Sequence, residues 1–405
     1  MRKFVLFFIV FSALVFSQSE KNSPTISFFG FLKTDVFMDT REGVSIREGH
    51  FLLYPQNENL DAQGNDINDK ASFNILSIQS RLGAKITGPD VLGAKATGLL
   101  EGEFFGHIES DINGFRLRHA LIKLDWANTS ILIGQYWHPM YVPEVAPAVV
   151  SYNNGVPFQP FSRNPQIRLV QSFDNLKFIL VAASQRDFAS PGPQGFSSIY
   201  MRDAVIPNLH FQIQYAGSSF FAGAGVDYKK LVARIMTADN HRYEAAVNSI
   251  SFIGYAKLIV DPVTFKVEGV YGSNMADQLM LGGYAVKSRN FVTYEIEYTP
   301  LNTFSVWGEF STGKDVEFGV FGGYAMNLGA DDNILSTSFN RGGNIESVFR
   351  VSPRLQLNFS PVRFSGEVEY TTANYGTVNN NNKGKVENAK SFSNIRVVLA
   401  AYYFF

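Results

Sequence analysis

The sequence predicts an all-β fold, a transmembrane antiparallel β-barrel, from three observations. The final residues alternate between apolar and polar, the N-terminus reads as an export leader, and no later apolar run is long enough to cross a bilayer as a helix. In residues 392–405, Ile395, Val397, Leu399, Ala401, Tyr403 and Phe405 share one side, while Asn394 and Arg396 fall on the other. An unbroken apolar face ending in aromatic rings suits lipid, with the rings at the membrane–water boundary.

The leader accounts for export. Met1, Arg2 and Lys3 give a basic start, residues 4–16 an almost continuous apolar run, and Val15 and Ser17 are small enough for a signal-peptidase site before Gln18. Residues 1–17 are therefore expected to be a signal peptide and 18–405 the barrel domain. A membrane anchor fits less well, because the run is short of the roughly 20 apolar residues that span a bilayer. The chain has no Cys, which excludes a lipoprotein, a disulfide and thiolate metal chemistry. An exported membrane protein without spanning helices must satisfy its backbone hydrogen bonds in a closed barrel.

Composition agrees. Phe (37) and Tyr (18) are abundant, and 34 Gly spread through strand-like segments suit bends in a curved sheet. A net charge of −1 points to neither a nucleic-acid surface nor an acidic tail, so no nucleic-acid partner is expected.

Alternation separates two faces along several segments. In 75–87, Leu76, Ile78, Leu82, Ala84 and Ile86 oppose Ser77, Gln79, Arg81, Lys85 and Thr87. In 208–217, Leu209, Phe211, Ile213 and Tyr215 oppose His210, Gln212 and Gln214. In 291–300, Val292, Tyr294, Ile296 and Tyr298 oppose Thr293, Glu295, Glu297 and Thr299. In 349–360, Phe349, Val351, Leu355, Leu357 and Phe359 oppose Arg350, Ser352, Arg354, Gln356 and Asn358. In 362–371, Val362, Phe364, Val368 and Tyr370 oppose Arg363, Ser365, Glu367, Glu369 and Thr371. The polar side predicts a wet lumen.

Connections alternate in length. Tight turns are expected at 88–90, 127–129, 173–175 and 360–361, and long polar loops at 38–70, 138–164, 186–207, 327–343 and 375–390. That asymmetry predicts short periplasmic turns and long extracellular loops. At roughly 22–24 residues per strand and connection, the chain makes about 16 strands, with 18 as the alternative; segment 273–290 decides between the two counts.

The stretch Phe115-Arg116-Leu117-Arg118-His119-Ala120, followed by Leu132-Ile133-Gly134-Gln135-Tyr136-Trp137, resembles the strand pair of the DcaP-like subset of Gram-negative porins. Residues 305–309 and 366–370 also look like porin strands. The resemblance implies a homotrimeric diffusion channel in the outer membrane of a Gram-negative bacterium. Such a channel is expected to pass small hydrophilic solutes and to favour anions and carboxylates, and Phe405 resembles the signal read by the barrel-assembly machinery. Its partners are outer-membrane lipid and solute. The strand pattern begins at about Ile26, so the coiled-coil extension of some DcaP-like members is expected to be lacking.

Function then rests on lumen charges. Basic candidates gather toward both ends of the chain: Arg81, Lys85, Lys95, Arg116, Arg118 and Arg168, then Arg350, Arg354, Arg363 and Arg396. First and last strands are neighbours in a closed barrel, so these predict a basic wall facing acidic Glu295, Glu297, Glu309, Glu367 and Glu369, with a field across the pore. Arg116 and Arg118 are the strongest single candidates, although His119 and Lys123 interrupt that strand's alternation. Segment 138–164 is the third long loop and carries five Pro with Val142, Val145, Val149, Val150, Phe158 and Phe161, costly to expose. In porins the third loop narrows the channel, which makes Glu144, Tyr152, Asn153, Asn154 and Arg163 candidates for a constriction.

Other classes are poorly served. His50, His107, His119, His138, His210 and His241 have no metal-ligand spacing, and no nucleophile motif or phosphate loop occurs, so no metal, cofactor or catalytic residue is expected. A structural barrel or a barrel enzyme remains the alternative to a channel.

Overall fold

The computed structural model describes residues 23–405; the leader expected over 1–17 lies outside the described residues. Sixteen antiparallel strands close one barrel, with almost no helix. One spanning strand is broken into Ser72–Leu76 and Arg81–Thr87, and another into Val263–Ser273 and Gly282–Arg289. Between the last two, residues 274–281 fold into the interior, which gives the smaller of the two expected counts. Closure joins Thr25–Asp39 to Lys385–Phe404, from Phe31 opposite Phe404 to Asp39 opposite Arg396. Phe405 finishes the seam by exchanging backbone hydrogen bonds with Gly30 at 3.0 and 3.1 Å.

Period-two patterning builds the wall where both faces differ. Leu209, Phe211, Ile213 and Tyr215 are exposed on the outside, and His210, Gln212 and Gln214 are buried on the inside of Asn208–Ala216. Ile345–Phe359, Val362–Asn379 and Lys385–Phe404 repeat the arrangement. The start of Thr25–Asp39, the C-terminal Phe405 and the short connections lie at one end, including 126–128, 174–175, 217–219, 261–262, 314–315 and 360–361. The opposite end carries the longer loops. Residues 375–390, expected as a loop, are instead the top of a hairpin that turns at 380–384, where Asn379 accepts from the Asn381 and Asn382 N–H groups.

Three local departures overturn parts of the alternation. Between 77 and 80 the strand is interrupted, which turns Leu76 and Ile78 inward while Phe73, Ile75, Leu82 and Ile86 face out. In 291–300 the strand begins only at Ile296. Asn290 accepts from the Val292 and Thr293 N–H groups and Tyr294 has φ 57°, so Phe291 to Glu295 form a turn. In Arg116–Asp125 the pairing skips Arg118, from His119 opposite Glu101 to Leu117 opposite Gly102. This β-bulge points Arg118 and His119 both inward, and from there Leu121 and Lys123 face the lumen.

The interior is also drier than charge alternation suggests. The hairpin of Gly43–Ile46 and Phe51–Pro55, the third loop and residues 274–281 all enter the barrel, and Phe51, Phe105, Val145, Val156, Phe158, Phe161, Trp307 and Phe321 bury one another there.

Candidate functional site

The third loop, residues 138–162, leaves Thr129–Trp137, crosses the lumen and returns at Arg163–Phe173. Its root is closed by the His138 N–H on the Ser162 carbonyl at 2.9 Å, and the His138 ring contacts Asn208 at 2.6 Å. On the far wall, carboxylates receive the loop's backbone. Glu309 accepts from the Ala148 N–H (2.6 Å), Glu367 from those of Val150 and Ser151 (2.6 and 3.2 Å), and Glu369 from the Asn153 amide (2.6 Å). Cations take its carbonyls: Lys33 binds Val150 O (2.9 Å), Lys266 binds Ala146 O (2.9 Å), and Arg350 binds both Val156 O and Leu53 O (2.7 Å each). The acidic residues thus hold a loop in place, by charge-assisted bonds in a poorly hydrated interior.

On the near wall, four guanidinium groups converge on one buried carboxylate. Glu103 pairs with Arg81 (3.3 Å), Arg116 (2.7 Å), Arg118 (2.7 Å) and Arg163 (3.7 Å), and it accepts from the Tyr152 hydroxyl at 2.6 Å. Arg118 also binds Glu101, and Asp187 engages Arg163 at 2.8 Å. Neither terminal nitrogen of Arg163 has a hydrogen-bond partner among the described residues. Trp137 and Phe105 lie under these cations, with Arg163 5.1 Å from the Trp137 centroid and Arg116 4.4 Å from Phe105. In the loop itself burial acts on hydroxyls and imidazoles. It pushes the Tyr141 hydroxyl up to about 12, raises Tyr152 together with the Glu103 charge, and holds His138 below its ordinary value.

The other candidates are distributed as follows. Arg350 pairs with Glu369 (3.2 Å), Arg354 with Glu309 (3.3 Å) and Glu317 (2.8 Å), and Arg396 with Asp39 (2.6 Å), so cations and carboxylates interleave on that wall. Arg363 donates to Asn358 and covers the Phe404 ring near the short-turn end. Lys95 is exposed at the same end, opposite Asp125. Glu295 lies in the turn and Glu297 at the exposed rim, bonded to Ser288, both apart from the other acids. Asn154 donates to Tyr152 O within the loop. Sequence reasoning missed Lys33, Asp35 and Asp39, which alternate with outward Leu32 and Met38 and could have been found by scoring 25–39. It also missed His50, whose ring meets Asp35 at 2.8 Å and stacks on Tyr152 at 5.2 Å.

Two cavities flank the loop. One of about 460 Å³ lies toward the short turns; Lys85, Lys123, Arg168 and Lys177 meet Asp125 and Glu144 in its wall. The second, about 790 Å³, lies among the long loops and carries Arg47, Arg116, Arg186 and Arg341 with Asp187.

Sixteen strands, short turns at one end, long loops at the other and a third loop folded into the lumen are the fold of Gram-negative outer-membrane porins. The chain is similar to the outer membrane channel DcaP of Acinetobacter baumannii, with 16% identity, 96% of this chain and 99% of that chain covered, and a TM-score of 0.70. It is also similar to OmpT of Vibrio cholerae in its trimer form (13% identity, 95% and 100% covered, TM-score 0.55). A third similarity is to an anion-selective porin from Comamonas acidovorans (12% identity, 95% and 100% covered, TM-score 0.55). No family model and no curated protein matches the sequence.

Proposed function

We propose that this chain is an outer-membrane diffusion channel for small hydrophilic solutes that favours anions, works as a homotrimer and is inserted by the barrel-assembly machinery. The observation that carries the anion preference is the excess of cations on both sides of the third loop. Four cations line the smaller cavity with two carboxylates, and Arg47, Arg116, Arg186 and Arg341 line the larger with Asp187, Arg47 being paired with Glu109 and Arg116 with Glu103. Clefts of one sign in low-dielectric walls concentrate the opposite ion, and guanidinium binds carboxylate through two parallel hydrogen bonds. The anion selectivity of the Comamonas porin and the trimer form of OmpT are consistent with both halves of the proposal.

The test is single-channel conductance with reversal potentials in a salt gradient. The wild type should reverse on the anion side, and replacing Arg116 and Arg118 together by Ser should move the reversal potential toward cations. Unchanged ion preference in that variant would reduce these arginines to structural partners of Glu103 and Glu101. A second reading, a structural barrel, draws on the apolar cluster that fills the lumen and would be supported by no conductance at all.

A further inference from the structure

The short-turn cavity has a wall that a channel for purely hydrophilic solutes does not need. Five large apolar side chains point into it from adjacent strands: Leu99, Leu121, Leu132, Val170 and Ile179. Register places them together. Leu99 lies opposite Leu121, Leu132 opposite both Lys123 and Arg168, and Val170 opposite Ile179. On these strands both faces are apolar, since Leu100, Ile122, Ile133 and Leu169 are exposed on the outside.

Cations frame the patch. Lys85 sits opposite Leu99, and Lys177 lies two residues before Ile179 on the same face. Neither ammonium has a hydrogen bond or ion pair among the described residues, whereas Lys123 is paired with Asp125 at 2.8 Å. Arg168 is held by the Trp137 carbonyl at 2.8 Å and lies 5.2 Å from the Tyr136 ring centroid. The ceiling is the third loop's Tyr141, Val142 and Pro143, with Tyr141 stacked 4.0 Å from Trp137. About 460 Å³ is within the range of small-ligand pockets, and an apolar lining with a few convergent charges is how such pockets orient a ligand.

We propose that this cavity is a binding site for monocarboxylates with a compact apolar body, on the short-turn side of the third loop. The carboxylate is held by Lys85, whose ammonium, opposite Leu99, is unpaired among the described residues; the hydrocarbon lies on Leu99, Leu121 and Leu132, and Lys177 on the far side of the patch adds to the positive potential. A dicarboxylate of similar size gains a second ion pair only by desolvating its other carboxylate against leucines, so it is disfavoured. The site rests on the anion-channel proposal for its biological role, but its occupancy does not depend on conduction.

The experiment therefore separates the two. Salt-only conductance in planar bilayers tests the channel, and calorimetric titration of detergent-purified, heat-modifiable protein tests the site. Benzoate is expected to bind at least tenfold more tightly than succinate, and benzylammonium not measurably. Replacing Lys85 and Lys177 by Gln should weaken benzoate at least tenfold, and replacing Leu99 and Leu121 by Asn should weaken benzoate while leaving succinate as it was. Equal binding of benzoate and succinate, or of benzoate and benzylammonium, overturns the proposal on wild-type protein alone. So does benzoate binding that is indifferent to the lysine substitutions.

Discussion

Glu103 meets more positive charge than one carboxylate neutralises: Arg116, Arg118 and Arg163 are buried beside it and Arg81 is half-buried. Removing one partner of a buried charge set leaves the others uncompensated, at a cost of about 3–5 kcal/mol. Glu103→Gln is expected to lower the unfolding midpoint in a heat- or urea-dependent gel-mobility assay and to loosen Tyr152, which loses its acceptor. Equal midpoints for variant and wild type would mean that Glu101 and Asp187 suffice. At this scale the sequence located the cations and offered Glu101 or Glu103 as partners of Arg116 and Arg118, but not the convergence of four guanidinium groups on Glu103. Arg116 and Arg118 stand out by alternation, whereas Glu103 lies on a strand whose inward Leu99 hides the period.

Elements differ in how their registers are set. Beyond the Arg118 bulge the strand pairs in continuous register with its neighbour, and Leu121 lies opposite Gly134, where φ is 137°. A Cβ there would lie 2.2 Å from the Ala120 carbonyl oxygen. Gly134→Val should therefore disturb the pairing of Arg116–Asp125 with Thr129–Trp137 and reduce the yield of heat-modifiable protein, with Gly134→Ala intermediate. The third loop is fixed differently, by side chains of distant strands. Glu367→Leu removes the acceptor of two backbone N–H groups, and a buried donor left unsatisfied costs about 1–3 kcal/mol. Faster protease cleavage within 146–154 and noisier single-channel current are expected. Wild-type cleavage rates would show that the apolar contacts of Val145, Val156 and Phe158 hold the loop unaided.

The whole molecule depends on its seam. Phe405 pairs with Gly30, its ring lies on that residue, and the closing ladder, which has Phe31 opposite Phe404, ends there. A strand left unpaired in lipid costs several kcal/mol per exposed backbone group. Deleting Phe405 should slow assembly in vivo and leave unfolded precursor, and gel mobility with and without heating reads both. Normal assembly would remove Phe405 as the assembly signal. A β-dominated circular-dichroism spectrum is expected of the folded protein, and a helical one is incompatible with the sixteen strands.

The alternation of 208–217, 349–360 and 362–371 was enough to place each residue inside or outside, because a strand between lipid and polar lumen has two unlike solvents at a period of two. The parts of the strands from Lys95–Glu103 to Leu176–Ala183 that line the smaller cavity escaped it, since Leu99, Leu121, Leu132, Val170 and Ile179 make the inner face apolar as well. The composition of 138–164 called for burial, and tertiary structure chose where. Glu309, Glu367 and Glu369 come from strands more than a hundred residues away and meet the loop only after closure. Closure likewise decided that arginines and glutamates interleave instead of forming two opposed walls. Arg350, Arg354 and Arg396, buried in the lumen, lower their energy by taking a nearby carboxylate, and which carboxylate is near is a property of the barrel.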